Sequence, residues 1–290
     1  MNIIGTGLSG LIGSRIVELL SPRFSFEDLS LDTGLDITNE RVVHERITKS
    51  DAPWVFHFAA KTDVDGAEKE RALRTKSPTW IVNVIATEHV VSVCRETGKR
   101  LLYLSTDYVF DGTSSEYRED ATPKPQGWYA VTKYEGEKRV ATLGDCALIV
   151  RIANPYGSGG NKPDFMHKII EKLNSGQALK APTDQLFIPT FIDDIANALG
   201  ILVEHNASGV YHVVGTQALS PYEAAKKIAA AYDLDVSLVG ETLFKEYFRR
   251  RAPRPKRAVL KSDKIAKFGI QMHSFDEGLE LIHTPGVNRN

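Results

Sequence analysis

The feature that most constrains the fold is a glycine pattern near the first residue. A short apolar run leads directly into Thr6-Gly7-Leu8-Ser9-Gly10-Leu11-Ile12-Gly13, and an amphipathic segment follows. Glycines at this spacing allow a tight turn, close approach of a ligand to the backbone, and close packing of a helix on a strand. The helix start also offers free N–H groups and a positive dipole end to a pyrophosphate. The pattern predicts a dinucleotide site formed by Gly7, Gly10, Leu11, Ile12 and Gly13.

Short apolar runs alternate with longer amphipathic segments through the first half of the chain. This alternation is typical of βαβ units, and the nearly continuous apolar character of the runs is typical of parallel strands buried on both faces. We therefore expect an α/β fold with a doubly wound parallel sheet of the Rossmann type. The predicted strands cover residues 1–5, 24–31, 54–58, 100–105 and 146–152, and the predicted helices cover 11–20, 39–49, 79–97 and 129–142.

The second half of the chain has a different pattern and predicts a second, smaller lobe. We expect residues 1–155 to form the dinucleotide-binding domain, completed by a strand near 209–214, and residues 156–290 to form mainly a substrate-binding lobe. Capping boxes at 220–223 and 274–277 predict two helix starts in that lobe.

The end of the second predicted strand indicates how the adenosine half of a dinucleotide would be held. Asp32 follows that strand, where an acid commonly accepts from a ribose hydroxyl. A carboxylate there would repel a 2′-phosphate, so NADH is slightly favoured over NADPH. Asp36 and Ile37 follow in the same loop and are expected to flank the adenine. An exposed loop aspartate without a ligand is the alternative interpretation of Asp32.

Tyr129 and Lys133 lie four residues apart in a helical pattern, which places them on one face. A phenol has an ordinary pKa of about 10, and a nearby ammonium lowers that pKa by stabilising the phenolate. Thr106 ends a predicted strand, where the side chains of a doubly wound sheet face the ligand crevice. The three residues together predict proton transfer to a carbonyl oxygen. A chance pattern on a surface helix is the alternative.

Composition and charge exclude several classes of function. The formal net charge of -1 gives no general attraction to nucleic acid or to an anionic membrane. No apolar run approaches membrane-spanning length, and glycines interrupt the first apolar stretch, so we expect no secretory signal. The eight histidines show no metal-ligand spacing, so we expect no metal. Cys94 and Cys146 form no CxxC motif, which favours reduced thiols and a cytoplasmic location.

The glycines, Thr106, Tyr129 and Lys133 resemble the extended short-chain dehydrogenase/reductases. Further segments narrow the resemblance to the dTDP-4-dehydrorhamnose reductases, and together they span nearly the whole chain. These segments are residues 58–68, residues 104–112, and Arg254-Pro255 followed by Leu260 and Lys264.

The resemblance implies roles for individual residues. Thr106, Tyr129 and Lys133 would form the catalytic set, with Asn83 supporting a proton relay; an ordinary polar residue inside a helix is the alternative for Asn83. The segment after the third strand would place Ala59, Ala60 and Lys61 at the cofactor. Asp107 and Asn154 would lie beside the sugar, and Arg254 would contact the pyrophosphate of a nucleotide sugar.

Two positions depart from the family pattern. Asn154 stands where the family often has an aromatic residue, which puts stacking on the sugar in doubt. Some members dimerise through a metal held partly by an acid on the first helix, where this chain has Ser14 and Arg15, so no metal is carried over.

The sequence therefore predicts reduction of the 4-keto group of a nucleotide-linked deoxysugar by NADH or NADPH. A sugar-nucleotide epimerase or dehydratase on the same scaffold is one alternative. A regulatory subunit without catalysis, resembling the beta subunit of methionine adenosyltransferase, is the other. The expected partner is the nucleotide sugar, and a homodimer is compatible with the family.

Overall fold

A computed structural model describes residues 1–158 and 163–283 of the chain. The strands are β1 (Asn2–Thr6), β2 (Ser25–Leu29), β3 (Trp54–His57), β4 (Arg100–Thr106), β5 (Ala147–Ile152), β6 (Pro155–Tyr156), β7 (Leu179–Pro182), β8 (Thr190–Phe191), β9 (Gly209–His212) and β10 (Val239–Thr242). The helices are α1 (Leu11–Leu20), α2 (Glu40–Lys49), α3 (Val64–Glu70), α4 (Pro78–Trp80), α5 (Ala86–Thr97), α6 (Trp128–Ala141), α7 (Phe165–Asn174), α8 (Ile192–Glu204), α9 (Pro221–Ala231), α10 (Phe244–Tyr247) and α11 (Phe275–His283).

The main sheet has six strands in the order β2-β1-β3-β4-β5-β9, and every neighbouring pair is parallel. The chain winds outward from β1 to β2 and then crosses back to continue on the other side through β3. Ligands of open α/β sheets bind outside the carboxyl ends of the strands at such a switch point. The predicted doubly wound parallel sheet is confirmed, and the crevice at β1 and β3 is where a ligand is expected.

Helices cover both faces of the main sheet because successive residues of a strand point to opposite sides. Ile3 and Ile4 of β1 are both fully buried, but they belong to different apolar clusters. Ile3 packs in the cluster that contains Ile16 of α1 and Leu199 of α8, and Ile4 packs in the cluster that contains Val43 of α2.

The predicted helix 79–97 has a different internal structure. It begins at Pro78 and contains a π-helical turn, Ile81–Ile85, between α4 and α5. A π-turn inserts an extra residue into a helical turn, and such turns often occur at functional sites. This turn contains Asn83, whose side chain makes the contacts described below.

The predicted strand 24–31 is shorter in the structure, where β2 ends at Leu29. A 3-10 turn, Leu31–Thr33, follows, and Ser30 and Thr33 form a reciprocal capping box that fixes the start of this turn. Side chain to backbone hydrogen bonds therefore end the strand earlier than its apolar pattern indicates.

The second half of the chain contributes to both parts of the molecule. Residues 192–212 return to the main sheet, where α8 packs beside α1 and β9 pairs with β5. The rest of this half includes two short parallel pairs, β7 with β10 and β6 with β8. Its core is aromatic and contains Tyr156, Phe187, Phe191 and Phe275. Across the two described stretches, no helix is long and apolar enough to cross a membrane.

If α8 is a structural part of the main sheet, shortening a side chain in its buried face should destabilise the whole fold. Leu199→Ala should lower the free energy of unfolding by about 2–5 kcal/mol, because Leu199 is fully buried against α1. Leu73, which is 54% exposed, provides the control, since Leu73→Ala should change little. Denaturant unfolding measures both, and equal effects of the two substitutions would contradict this packing.

Candidate active site

The turn between β1 and α1 is too tight for side chains. Gly7 has a φ of +70°, and a Cβ added there would lie 2.5 Å from the backbone nitrogen of Ala59. A Cβ at Gly13 would lie 2.4 Å from the carbonyl oxygen of Gly7. Gly10 caps α1 without a side-chain hydrogen bond. The N–H groups of the first helical turn are thus left for another acceptor, which fits a dinucleotide pyrophosphate.

A cleft of about 610 Å³ opens at the carboxyl ends of the main-sheet strands. Most of the residues predicted from the sequence to bind cofactor or substrate line it. They are Gly7, Gly10, Leu11, Ile12, Gly13, Asp32, Asp36, Ile37, Ala59, Ala60, Thr106, Asp107, Tyr129, Lys133 and Asn154.

The end of this cleft beside the loop after β2 carries negative charge. Asp32 and Asp36 both line it, and one Asp36 oxygen also accepts hydrogen bonds from the backbone and hydroxyl of Thr38 at 2.9 and 2.8 Å. Among the described lining residues, the single lysine or arginine is Lys133, which belongs to α6. The described lining residues therefore include no cation beside Asp32 that would favour a 2′-phosphate.

Tyr129 is nearly buried, with 9% of its surface exposed. Burial raises the pKa of its phenol well above the ordinary value, and the neighbouring Thr106 hydroxyl acts in the opposite direction. The ring of Tyr108 stands edge-on to it, with 6.0 Å between ring centres. In the free site Tyr129 is therefore a neutral phenol, which is the form that can donate a proton.

Lys133 is held deeper in the site. Its ammonium donates to the Leu104 carbonyl oxygen at 2.9 Å and lies 4.0 Å from the ring centre of Tyr103. Burial lowers its pKa to about 7, and the negative charge of Glu137 acts against this shift. Near neutral pH the charge of Lys133 is therefore sensitive to its surroundings.

Asp107 is a buried carboxyl group with one unused oxygen. Its Oδ1 accepts from the Thr106 hydroxyl at 3.0 Å, whereas Oδ2 has no hydrogen-bond partner in the structure. Burial raises the pKa of Asp107 to about 7, so a substantial fraction is protonated at neutral pH.

A second cleft, of about 470 Å³, meets the first one at Asp107, Tyr108 and Asn154. Its lining combines positive charge with aromatic rings. The cationic residues are Lys168, Lys172, Lys180 and Arg251, and the aromatic residues other than Tyr108 are Phe165, Phe187, Tyr247 and Phe248. The lysines and aromatic residues were not predicted from the sequence. Arg251 belongs to the basic run of residues 249–257, of which one or two arginines are expected from the sequence to line the substrate lobe.

Arg254, which the resemblance places at a pyrophosphate, lines neither cleft. Its Nη1 donates to Asp65 at 2.8 Å and to the Ala252 carbonyl oxygen at 2.9 Å. Arg251, three residues earlier, lines the second cleft, and its guanidinium lies 4.6 Å from the ring centre of Tyr247. The Arg254 guanidinium nevertheless lies 4.9 Å from the ring centre of Phe248, which lines the second cleft, so both arginines are close to that cleft.

Asn83 and Lys61 also lie outside the lining of both clefts. The Asn83 amide oxygen accepts from the Lys61 backbone at 2.8 Å, and its amide nitrogen donates to the Lys61 carbonyl at 3.1 Å and to Thr132 Oγ1 at 3.0 Å. The ammonium of Lys61 pairs with Glu70. In this arrangement Asn83 fastens the loop after β3 to α6, close to Ala59 and Ala60.

The described part of the chain shows no cluster of metal-binding side chains. Within residues 1–158 and 163–283, no three His, Cys, Asp or Glu side chains are grouped to hold a metal ion. Arg15, on the first helix, instead makes a two-pronged contact with Asp193 of α8, at 2.9 and 2.7 Å.

Comparison with known proteins gives similarity over nearly the whole chain. A dTDP-4-dehydrorhamnose reductase of Aggregatibacter actinomycetemcomitans is 31% identical, with 96% of each chain covered. The methionine adenosyltransferase 2 subunit beta of Xenopus laevis is 30% identical, covering 81% of this chain and 71% of that protein.

Solved structures agree with the sequence comparison. The crystal structure of dTDP-4-dehydrorhamnose reductase from Bacillus anthracis, in complex with NADP, matches with a TM-score of 0.88 and 32% identity, covering 97% of this chain and 98% of that one. A family model described as the RmlD substrate binding domain matches residues 1–285. The chain therefore belongs to the RmlD substrate binding domain family.

Proposed function

We propose that the protein reduces the 4-keto group of a nucleotide-linked deoxysugar with a hydride from NADH or NADPH. The observation that carries this proposal is the meeting of two clefts at Asp107, Tyr108 and Asn154, beside Tyr129. One cleft has the glycine turn that suits a dinucleotide, and the other has the cations and aromatic rings that suit a nucleotide. A sugar attached to that nucleotide would lie at the junction. The similarity to dTDP-4-dehydrorhamnose reductases supports the same assignment.

Tyr129 and Thr106 are proposed to act on the carbonyl oxygen. A reduced nicotinamide bound in the first cleft would supply the hydride. Tyr129 donates its proton to the oxygen as negative charge develops there, and the Thr106 hydroxyl orients that oxygen. Because the pKa of Tyr129 is raised, its phenol keeps its proton until negative charge develops on the substrate oxygen.

Lys133 and Asp107 are proposed to prepare these two groups. The Lys133 ammonium stabilises the phenolate left after proton transfer, which lowers the barrier to that transfer. Asp107 controls the direction of the Thr106 hydroxyl. An ionised Asp107 accepts the hydrogen bond that this hydroxyl donates, whereas a protonated Asp107 carries no negative charge to hold the hydroxyl hydrogen. Protonation of Asp107 therefore frees Thr106 to donate to the substrate.

The second cleft is proposed to hold the nucleoside diphosphate. Arg251 and Lys168 offer positive charge to the phosphates, and Phe248 offers a surface for the base. Arg254 uses Nη1 for its ion pair with Asp65 and lies beside Phe248, so its remaining N–H groups are proposed to assist at the phosphates. Asn154 has no aromatic ring to stack on the sugar, and we expect its amide to hydrogen-bond the sugar instead.

Three further expectations belong to this proposal, and they concern the division into domains, the cellular compartment and the oligomeric state. The dinucleotide part would consist of residues 1–155 together with 192–212, and the remaining described residues of 156–290 would form the substrate lobe. Cys94 and Cys146 are both free thiols, which fits a reducing compartment such as the cytoplasm. A homodimer remains an expectation from the family.

Two other functions lead to different experimental outcomes. An epimerase or dehydratase would return the hydride and consume no NADH overall. A regulatory role is favoured by the similarity to a methionine adenosyltransferase beta subunit. That role would require stable binding to a synthetase and no turnover of nucleotide sugars.

Removing the Tyr129 hydroxyl tests the proposed reduction. The parent protein should oxidise NADH when supplied with a 4-keto nucleotide sugar such as dTDP-4-dehydrorhamnose. Tyr129→Phe should lower kcat by about 10²–10⁴-fold, because a positioned proton donor is lost, while NADH affinity changes little. Absorbance of the reduced cofactor measures turnover, and fluorescence measures NADH binding.

Tyr134→Phe is the matched control, since Tyr134 lies on the same helix and lines neither cleft. It should keep the parent kcat. Wild-type turnover in Tyr129→Phe would show that this mechanism is wrong. Absence of turnover by the parent with every 4-keto nucleotide sugar tried would favour the regulatory role.

Asp32 should make the site prefer NADH. Asp32→Ala removes a carboxylate that would repel a 2′-phosphate, so kcat/KM for NADPH relative to NADH should rise, by about tenfold. Asp51→Ala removes an exposed carboxylate near the other end of the sheet, next to Asn2, and should leave the ratio unchanged. Steady-state rates with both cofactors measure the effect. An unchanged ratio in Asp32→Ala would remove Asp32 from the ribose site.

A further inference from the structure

A fully buried ion pair lies behind the catalytic residues. Arg151 of β5 donates from Nε to Glu137 Oε1 at 2.9 Å and from Nη2 to Glu137 Oε2 at 2.7 Å. Both side chains are only 4% exposed. Burying two charges costs free energy that their mutual attraction often fails to recover, so a buried pair is weak support for stability alone. Its position next to the reacting groups indicates another role.

The carboxylate of Glu137 connects three elements of the fold. Besides Arg151 of β5, it accepts a 2.5 Å hydrogen bond from the hydroxyl of Ser105 on β4. Ser105 immediately precedes Thr106. Glu137 itself belongs to α6, the helix that carries Tyr129 and Lys133. The carboxylate therefore fixes the end of β4 relative to the helix that supplies the proton donor.

Arg151 is held from its other side by His212 of β9. Burial lowers the pKa of His212 to about 3, so this imidazole is neutral. Its Nδ1 lies 3.0 Å from the Lys261 carbonyl oxygen and must carry the proton there. Its Nε2 then accepts from Arg151 Nη1, 3.4 Å away. The neutral imidazole of His212 thus helps to orient the Arg151 guanidinium without adding a second negative charge beside it.

Glu137 is also placed to act on Lys133, because it follows Lys133 by four residues on the same helix. Tyr129 precedes Lys133 by four residues on α6, which places it on the same face of that helix. Among the described residues, Glu137 from α6, Tyr103 from β4 and His57 from β3 also act on or contact the Lys133 ammonium. Burial holds the pKa of His57 at about 3 and raises the pKa of both tyrosines, so these three are neutral. Among these facing groups, Glu137 carries the negative charge.

We propose that Glu137, clamped by Arg151 and Ser105, is a positioning residue that keeps Lys133 protonated and holds Thr106 in line with Tyr129. This inference rests on the proposed reduction, since it assigns Glu137 to the same site. Without Glu137, the buried lysine would lose its ammonium charge at neutral pH and could no longer stabilise the phenolate of Tyr129.

The pH profile of Glu137→Gln tests the proposal. Amide and carboxylate have nearly the same shape, so the substitution removes charge with little change in packing. The alkaline limb of kcat/KM, which reports loss of the Lys133 ammonium, should move to lower pH by about one unit. The loss of activity should consequently be larger at pH 8 than at pH 6. Glu137→Asp, which keeps the charge, should restore much of the parent profile.

Glu135→Gln is the matched control. Glu135 lies two residues away on the same helix and pairs with Lys138 and Arg139, but it is 22% exposed and faces away from Lys133. It should leave the alkaline limb in place. A purely structural loss in Glu137→Gln would lower activity equally at all pH values and would leave the limb unmoved.

A second variant keeps the test decisive if Glu137→Gln does not fold. The double substitution Glu137→Gln with Arg151→Met leaves no unpaired buried charge, and such replacements are often tolerated. The alkaline limb of its kcat/KM profile should also move to lower pH. The shift should be smaller than in Glu137→Gln alone, because the loss of Arg151 also removes a positive charge that repels the Lys133 ammonium. An alkaline limb within about 0.3 pH units of the parent in a folded variant would overturn the proposal.

NADH binding separates this inference from the proposed function. Because Lys133 lines the first cleft, its ammonium would lie against a bound dinucleotide. The affinity of the parent for NADH, followed by fluorescence across pH, should therefore weaken as this ammonium is lost, and in Glu137→Gln that weakening should begin at lower pH. If the parent reduces no nucleotide sugar yet shows this shift in binding, the proposed reduction fails and the role of Glu137 stands. If turnover is present and neither profile shifts, the role of Glu137 fails alone.

Discussion

Close contact between the backbone of the first turn and its neighbours constrains the rest of the site. The turn packs so tightly that a side chain at Gly13 would collide with the Gly7 carbonyl, and one at Gly7 would collide with Ala59. The start of α1 therefore lies directly at the ends of β1 and β3, where the winding of the sheet reverses. A pyrophosphate bound at the helix start would sit at this reversal, and a nicotinamide would extend from there toward β4.

Three consecutive residues at the end of β4, Ser105, Thr106 and Asp107, have different roles in the proposed site. All three line the first cleft, but the Ser105 hydroxyl donates to Glu137, whereas the Thr106 hydroxyl donates to Asp107. Ser105 and Thr106 are adjacent in β4, so their side chains point to opposite sides of the strand, and Asp107 begins the turn that follows it. Thr106 and Asp107 are left to act on a substrate, and Ser105 ties the end of β4 to α6. The charge of Lys133 then depends on a carboxylate that no substrate touches.

Features that depend on residues close together in the sequence could be predicted. Features that depend on contacts between residues far apart in the sequence could not. The glycine turn and the pairing of Tyr129 with Lys133 follow from residues within one turn of structure. Arg251 and Arg254 lie three residues apart but have different partners, because Asp65, far away in the sequence, binds Arg254. The ion pair of Glu137 was equally hidden, since a glutamate on a helix is usually exposed and its arginine lies on a separate strand.

Transfer of labelled hydride tests the central claim most directly. The protein is incubated with NADH deuterated at the transferable position of the nicotinamide and with a dTDP-4-dehydro-6-deoxyhexose, and the product is examined by mass spectrometry and NMR. Reduction predicts one deuterium per product at the sugar C4, with one NADH consumed for each product formed. A product without deuterium at C4, or one formed with no net loss of NADH, would contradict the account.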